Sequence, residues 1–146
     1  MSSFTTVIDN IVTTLQNDAP LDAFCKSKWG KPISVKKIFK KRAELSIQNL
    51  PKILITRPLT EKSFLINTSR ESKNTVRLYC IFYQTDKRKA LNELIEFEEK
   101  IDDAILMQSS ETLGAISINP KGSENDEGEW HPVYAIVMDV EIQHRR

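Results

Sequence analysis

The sequence contains little of what builds disulfide-stapled, secreted or nucleotide-binding proteins. It has two cysteines, Cys25 and Cys80, and four glycines. Two cysteines without a secretory signal do not make a disulfide framework, and a reducing compartment is the default for such a chain. Four glycines leave no glycine-rich loop to hold a phosphate. These shortages exclude a disulfide scaffold and a glycine-cradled phosphate site.

Long hydrophobic runs are also missing. No run approaches the roughly 18 apolar residues that a membrane-spanning helix needs. The N-terminal MSSFTTVIDNIV has neither the basic start nor the continuous apolar segment of a signal peptide. We therefore expect no membrane span and no membrane partner.

An excess of one charge sign is missing too. The 21 basic and 20 acidic residues give a net charge of +1. A dedicated nucleic-acid or membrane-surface binder usually carries a large basic excess. The length of 146 residues predicts one domain, residues 1–146. A domain of this size buries about 68–70% of its unfolded surface and needs no disulfides or bound metals to stabilise its core.

What is present is a pattern of amphipathic helices. A first helix is predicted from about Phe4. Asp18 and Pro20 are interpreted as its end, because proline disfavours helix in the residue before it. Leu21–Trp29 is predicted as a second, short helical segment ended by Gly30. The apolar residues of the first helix follow helical spacing and are Phe4, Val7, Ile8, Ile11 and Leu15.

The most informative stretch is 74–107, where an alternating strand runs into a long helix. One strand face carries Val76, Leu78, Cys80 and Phe82, and the other carries Arg77, Tyr79, Ile81 and Tyr83. The second face is either a contact surface or part of a strand buried on both sides. In the helix, the predicted buried residues are Leu91, Leu94, Ile95, Ile101 and Ile105.

Other extended segments flank this unit. Lys52–Arg57 is predicted as a strand bounded by Pro51 and Pro58, because proline suits strand limits rather than strand centres. Residues 59–73 form a short strand or a hairpin arm, and 119–129 is predicted as a loop from its composition. The remaining strand candidates are Ile33–Phe39, Leu113–Ile118 and Val133–Ile142.

The element order predicts an α+β fold with a mostly antiparallel, mixed sheet. The N-terminal helix and the long helix both need one buried face, so we expect both to pack on that sheet. The predicted order is α, short α, β, β, an optional β, β, α, β, β.

Two charged clusters are candidate contact surfaces. The basic run is either a phosphate-binding stripe, an edge strand protected by lysines, or a surface that meets the acidic helix of a neighbouring copy. The basic run has no interleaved aromatic residues on which bases could stack. Its members are Lys36, Lys37, Lys40, Lys41 and Arg42. The acidic helix face lacks the Glu-x-x-His pairs of a di-metal site. Its candidate interface residues are Glu96, Glu99, Asp102 and Asp103.

No pattern indicates catalysis or metal binding. His131 and His144 lack a ligand-spaced partner. Nothing local would lower the pKa of the Cys25 thiol, so a Cys25-dependent enzyme is a remote alternative. The acidic segment 124–129 does not have the ligand spacing of a calcium loop. We therefore expect no catalytic residues, no metal, no cofactor and no enzyme activity.

The order of segments resembles the tail-terminator, or tail-completion, proteins of long-tailed bacteriophages. The similarity spans most of the chain in layout. The segments that carry it are FTTVIDNIVTTLQ, LDAFCKSKWGK, LPKILITRP (50–58), TVRLYCIFYQTDKRKALNELIEFEEKI (75–101) and the final strand ending in VMDVEI.

The resemblance implies a structural virion protein, made in the host cytoplasm and located in the tail or neck. It implies a homo-oligomeric ring, commonly a hexamer, that caps the tail tube and joins it to the head-side connector. Expected partners are other copies of the chain, the tail tube protein and the connector or adaptor protein, with the tail sheath as a further candidate. DNA would be only passing cargo in the lumen.

Two predicted surface segments are candidate contacts between rings or with the tube, because exposed loops often carry function. They are the arm 59–73 and the loop 119–131, with Phe64, Arg70, Asp126 and Trp130 as the candidate residues. Two alternative functions stay open at this point. One is a neck or head-completion protein of the same particle, and the other is a small nucleic-acid-binding module that uses Tyr79, Tyr83 and the basic run.

Overall fold

The computed structural model describes residues 4–38, 47–64, 70–106, 115, 117–125 and 127–145, with backbone only at 47, 59–64, 70–71 and 145. These residues form three α-helices and five strands. The helices are α1 (Phe4–Gln16), α2 (Ala19–Trp29) and α3 (Lys87–Leu106); the strands are β1 (Ser34–Lys36), β2 (Lys52–Phe64), β3 (Arg70–Tyr83), β4 (Ser117–Asn125) and β5 (Val133–Arg145).

The strands form one mixed sheet in the order β1-β2-β3-β5-β4. β1 runs parallel to β2, and the other three pairings are antiparallel. Buried residues of the three helices join one face of the sheet in a single core. The predicted class, an α+β fold with a mostly antiparallel sheet and helices packed on it, is confirmed.

The alternation in β3 and β5 correctly predicts which face is buried. Val76, Leu78, Cys80 and Phe82 are buried under the helices. β5 lies directly beside β3 in register, so its apolar face continues the same layer. The β5 residues on that face are Tyr134, Ile136, Met138, Val140 and Ile142.

The opposite sheet face combines the two alternatives left open by the sequence, because one part of it is buried and another part is open. Ile81 is buried together with Leu50 and Leu54 in a second, smaller cluster. Tyr79 and Tyr83 pack against that cluster but stay half-buried. Towards the other end of β3, this face carries charged residues and is open, as described below.

The prediction that Pro58 ends a strand is wrong. β2 continues to Phe64 and pairs with β3 along its whole length. The pairing register shifts between Thr56 and Leu59. A bulge tolerates proline because the irregular position does not need a ladder N–H group. The continuation makes 59–64 one arm of a hairpin, which is one of the two forms predicted for this segment.

Asp18 and Pro20 follow the end of α1, as predicted, but their main role is to start α2. The Asp18 carboxylate accepts a hydrogen bond of 3.0 Å from the Leu21 backbone N–H. Pro20 lies in the first turn, where its missing N–H has no helical partner to lose. Gly30 ends α2 in the left-handed conformation with φ of 72°, which suits glycine.

The predicted loop over 119–129 is wrong for its first part. Residues 117–125 form β4, which pairs antiparallel with β5. The segment looks like a loop in sequence because its side chains are polar and exposed. Backbone pairing at a sheet edge, and not side-chain burial, holds it as a strand. Of the strand predicted over Leu113–Ile118, positions 113, 114 and 116 lie outside the described residues.

The buried face of α3 is rotated from the predicted one. Leu94, Ile101 and Ile105 are buried as predicted, but Leu91 and Ile95 are 64% and 43% exposed. Glu93, an acidic residue of the same helix, is only 6% exposed. The buried side follows the spacing i, i+3, i+4, i+7. Its members are Ala90, Glu93, Leu94, Phe97, Ile101, Ala104 and Ile105.

Candidate assembly surfaces

The basic run lies at the β1 edge of the sheet. Lys36 ends β1, and both Lys36 and Lys37 are exposed. The Lys37 Nζ lies 2.6 Å from a carboxylate oxygen of Asp9 on α1. This exposed ion pair ties the edge strand to the helix above it, so part of the basic charge is already paired within the chain. The other predicted members, Lys40, Lys41 and Arg42, lie outside the described residues.

The acidic residues of α3 divide into two groups. Glu96 lies beside α2, and the Lys28 Nζ is 3.8 Å from its carboxylate. Glu99 and Asp103 are exposed, and Asp102 is half-buried. Burial and the nearby carboxylates of Glu98 and Asp103 raise the pKa of Asp102. Glu96 is therefore paired with Lys28 of the same chain, whereas Asp102 is close to other carboxylates.

This raised pKa gives a prediction for stability. A folded-state pKa above the unfolded value means that the folded chain binds the proton more tightly, so stability falls as pH rises through that window. Above that pH range, the ionised Asp102 carboxylate lowers the free energy of unfolding. Asp102→Asn is therefore expected to raise the melting temperature at neutral pH but not at acidic pH. Thermal unfolding followed by circular dichroism measures this.

An exposed acid outside α3 supplies the control. Glu129→Gln removes one carboxylate charge from an exposed position in the turn before β5, so the free energy of unfolding is expected to change by no more than about 0.5 kcal/mol. Equal melting temperatures for wild type and Asp102→Asn at neutral pH would contradict the raised pKa.

One acidic residue of α3 has a structural role that the sequence did not predict. The Glu93 carboxylate accepts hydrogen bonds from Trp29 Nε1 at 2.9 Å and from Gln84 Nε2 at 2.6 and 2.9 Å. Gln84 follows β3, so these bonds join α2, α3 and the β3–α3 connection. The signal in the sequence is that Glu93 falls on the spacing of Ala90, Leu94 and Phe97.

An aromatic cluster surrounds this network. The Trp29 indole stacks on Phe82 with centroids 4.7 Å apart, and meets Phe24 and Phe97 edge-on at 5.4 and 5.0 Å. Phe82 also stacks on Tyr134 at 5.4 Å. The cluster fixes α2 and α3 to one end of the sheet, since its members come from both helices and from β3 and β5.

The charged half of the open sheet face holds a groove of about 580 Å³ between β3, β5 and β4. In it the Arg77 guanidinium donates to both carboxylate oxygens of Asp139, at 2.9 and 3.1 Å. Asp139 and then Tyr79 raise the pKa of Arg77 above its ordinary range. Lys121 and Glu141 form a second pair at 3.4 Å. Three charged residues of the groove lining, Arg77, Asp139 and Lys121, are therefore paired within the chain.

The candidate contacts between rings fall in two places. The β2–β3 hairpin pairs Phe64 with Arg70 at its last described position, so the backbone brings these two residues together. Trp130 lies in the turn before β5 and is 68% exposed. Asp126 lies outside the described residues.

The remaining polar candidates, Cys25, His131 and His144, are buried or contact other residues of the fold. Burial, and then the nearby Asp22, raise the pKa of the Cys25 thiol to about 12. The His131 Nδ1 lies 2.5 Å from the Tyr134 hydroxyl. His144 is buried and meets the Phe4 ring edge-on at 5.8 Å. Within the described residues, no three His, Cys, Asp or Glu side chains cluster in a way that could hold a metal ion.

No helix among the described residues combines the length and the apolar character that a membrane crossing requires.

The comparisons with known proteins show a shared fold. No protein-family model matches the chain, and no curated protein matches it. Among solved structures, it is similar to a chain in the structure described as the virion of native gene transfer agent (GTA) particle, with a TM-score of 0.54. The match covers 93% of this chain and 92% of that one at 9% sequence identity. At this identity the similarity concerns the architecture, over nearly the full length of both chains.

Proposed function

We propose that this protein is a structural component of a phage-like virion. In the finer form of the proposal, it is a tail-terminator ring protein that caps the tail tube and joins it to the head-side connector. The observation that carries the proposal is the fold shared with a virion chain over 93% of this sequence. The segment order, which resembles tail-terminator proteins independently of the fold comparison, supports the finer form.

The distribution of charge supports assembly of identical copies. The basic residues Lys36 and Lys37 lie at the β1 edge, whereas the exposed acids Glu99 and Asp103 belong to a separate element, α3. Complementary charges on two different surfaces favour head-to-tail contacts and fix their orientation more than their affinity. A head-to-tail contact that closes by rotation produces a ring. In such a ring, the β2–β3 hairpin near Phe64 is the candidate for contacts along the axis.

The decisive experiment is performed on particles. Tails assembled without this protein are expected to have abnormal length, or to have normal length but fail to join heads, as measured by electron microscopy and infectivity. Abnormal length identifies a tail terminator, because length control fails. Normal tails beside unjoined heads identify a neck protein of the same particle. Normal infectious particles that lack the chain would refute a virion role.

A charge-reversal pair tests the contact between copies. Lys37→Glu is expected to weaken assembly, because it places a negative charge opposite the acidic helix of the neighbour. Adding Glu99→Lys to the same chain is expected to restore assembly in part, because both signs are then exchanged. Sedimentation velocity of each purified variant measures the assembled fraction.

The control accounts for the ion pair within the chain. Lys37→Glu also breaks the contact with Asp9, whereas Asp9→Ala breaks that contact and leaves Lys37 in place. Asp9→Ala is expected to assemble like wild type. Equal loss of assembly in Asp9→Ala and Lys37→Glu, with no rescue by Glu99→Lys, would eliminate this pairing of surfaces.

A further inference from the structure

Large apolar side chains are exposed at four described positions. Leu91, Ile95 and Leu106 on α3 are 64%, 43% and 57% exposed, and Trp130 is 68% exposed. A single exposed leucine is ordinary, but several large apolar side chains on one surface mark a contact site. The question is whether these four residues share a surface.

Leu91 faces the end of β4, and the other three are related to it by their positions on α3 or in the turn after β4. Leu91 lines a hollow of about 380 Å³ together with Asn125 at the end of β4 and His131 in the following turn. Trp130 is the neighbour of His131 in that turn. Ile95 follows Leu91 by one helical turn, and Leu106 follows Ile95 by about three turns. We call Leu91, Ile95, Leu106 and Trp130 the α3–β4 surface.

Pairing with another strand at the β4 edge is disfavoured. Pro120 removes a backbone N–H, and the register of β4 shifts between Pro120 and Gly122. Lys121 adds a charge at the same point and pairs with Glu141. Proline, lysine and bulges at an edge are the features that deter strand addition. A partner on this side therefore meets side chains of α3 and the turn, rather than extending the sheet.

Charge indicates which partner fits. Between Ile95 and Leu106, α3 exposes Glu99 and Asp103, and Lys28 pairs with Glu96 within the chain. The basic residues Lys36 and Lys37 lie at the β1 edge, and β1 and β4 are the two opposite edges of the sheet. Lys87 and Arg88 at the start of α3 are exposed as well, so the acidic part of this surface is the part of α3 beyond Ile95. The β1 side of a second copy brings positive charge to that part. Because the two surfaces lie on opposite edges, each copy can use both at once.

We propose that the α3–β4 surface receives the β1 side of a second copy of this chain. The contact has an apolar centre at Leu91, Ile95 and Trp130, bordered by ion pairs between Glu99 or Asp103 and the lysines of the neighbour. The proposal rests on the proposed function, since it names the ring contact, but it concerns which surface makes that contact.

The test uses the full chain and native mass spectrometry across a concentration series. Leu91→Glu and, separately, Ile95→Ser are expected to weaken self-association by roughly tenfold to a hundredfold, the worth of one buried large apolar side chain. Ala23→Glu, which adds the same charge at an exposed position of α2, is the matched control and is expected to associate like wild type. Circular dichroism verifies that all three variants fold.

A second measurement identifies the partner surface. Copies labelled with heavy nitrogen and unlabelled copies are mixed and crosslinked with a lysine–carboxylate reagent. Mixed-mass crosslinks between Lys36 or Lys37 and Glu99 or Asp103 are expected. Assembly of Leu91→Glu at wild-type affinity, mixed crosslinks confined to other surfaces, or a wild-type chain that stays monomeric throughout would each overturn the proposal. The particle experiment described above is independent of these results, so the virion role can stand or fall separately.

Discussion

Replacing Phe97 with alanine is expected to lower the free energy of unfolding by about 3–5 kcal/mol. Phe97 is fully buried. Its ring stacks on Phe24 at 6.2 Å and meets Trp29 and Phe82 edge-on at 5.0 and 6.0 Å. Alanine removes contacts with α2 and with β3 at once, and the sheet beneath is too constrained to collapse into the space. The loss therefore includes a cavity as well as transfer of the ring to water.

Urea denaturation followed by far-ultraviolet circular dichroism measures this effect. All variants are compared at one protein concentration, because self-association adds to apparent stability. Asn92→Ala, at an exposed position on the same helix, is expected to stay within about 0.5 kcal/mol of wild type. A Phe97→Ala midpoint equal to that of Asn92→Ala would contradict the aromatic packing. Phe97→Leu keeps most of the volume and is expected to lose clearly less than Phe97→Ala.

Glu93→Ala is expected to destabilise the fold by about 1–3 kcal/mol, because it leaves two half-buried donors without their acceptor and an unsatisfied buried donor costs about that much. The donors are Trp29 Nε1 and Gln84 Nε2. Glu93→Gln retains one acceptor oxygen and the side-chain volume, so an intermediate loss is expected. Both variants are measured by urea denaturation under the conditions used for Phe97→Ala.

The control for Glu93 is another acid of the same helix. Glu99→Ala removes an exposed carboxylate, and in a sample dilute enough to be monomeric its effect on the free energy of unfolding is expected to be within about 0.5 kcal/mol. A larger loss for Glu99→Ala than for Glu93→Ala would reverse the assignment of the buried and the solvated acid. The fluorescence of Trp29 provides a local probe, since its indole donates directly to Glu93. Trp130 is exposed and contributes a separate, solvated signal.

The candidate assembly surface was only partly predictable. The sequence identified the basic run and the acids of α3, because charge is visible residue by residue. It could not show that Lys37 pairs with Asp9 or that Lys28 pairs with Glu96, since those partners are far apart in the chain. It also assigned Leu91 and Ile95 to the core. Their exposure, on which the α3–β4 surface depends, follows from how far α3 is rotated against the sheet.

The sequence by itself determined the elements whose side chains repeat with a clear period. The alternation in β3 and β5 identified the buried face of the sheet, and the helical spacing identified α1, because burial on one face imposes that period directly. Composition and element order determined the α+β class for the same reason.

Only the tertiary structure decided the features that depend on neighbours in space. β4 is a strand because β5 offers it a ladder of backbone hydrogen bonds, although its side chains from Asn119 onward are exposed. Pro58 lies within β2 because a bulge accommodates it there. Glu93 is buried because Trp29 and Gln84 supply donors from α2 and the end of β3. These outcomes follow from pairing and packing between distant segments, which no local pattern of side chains encodes.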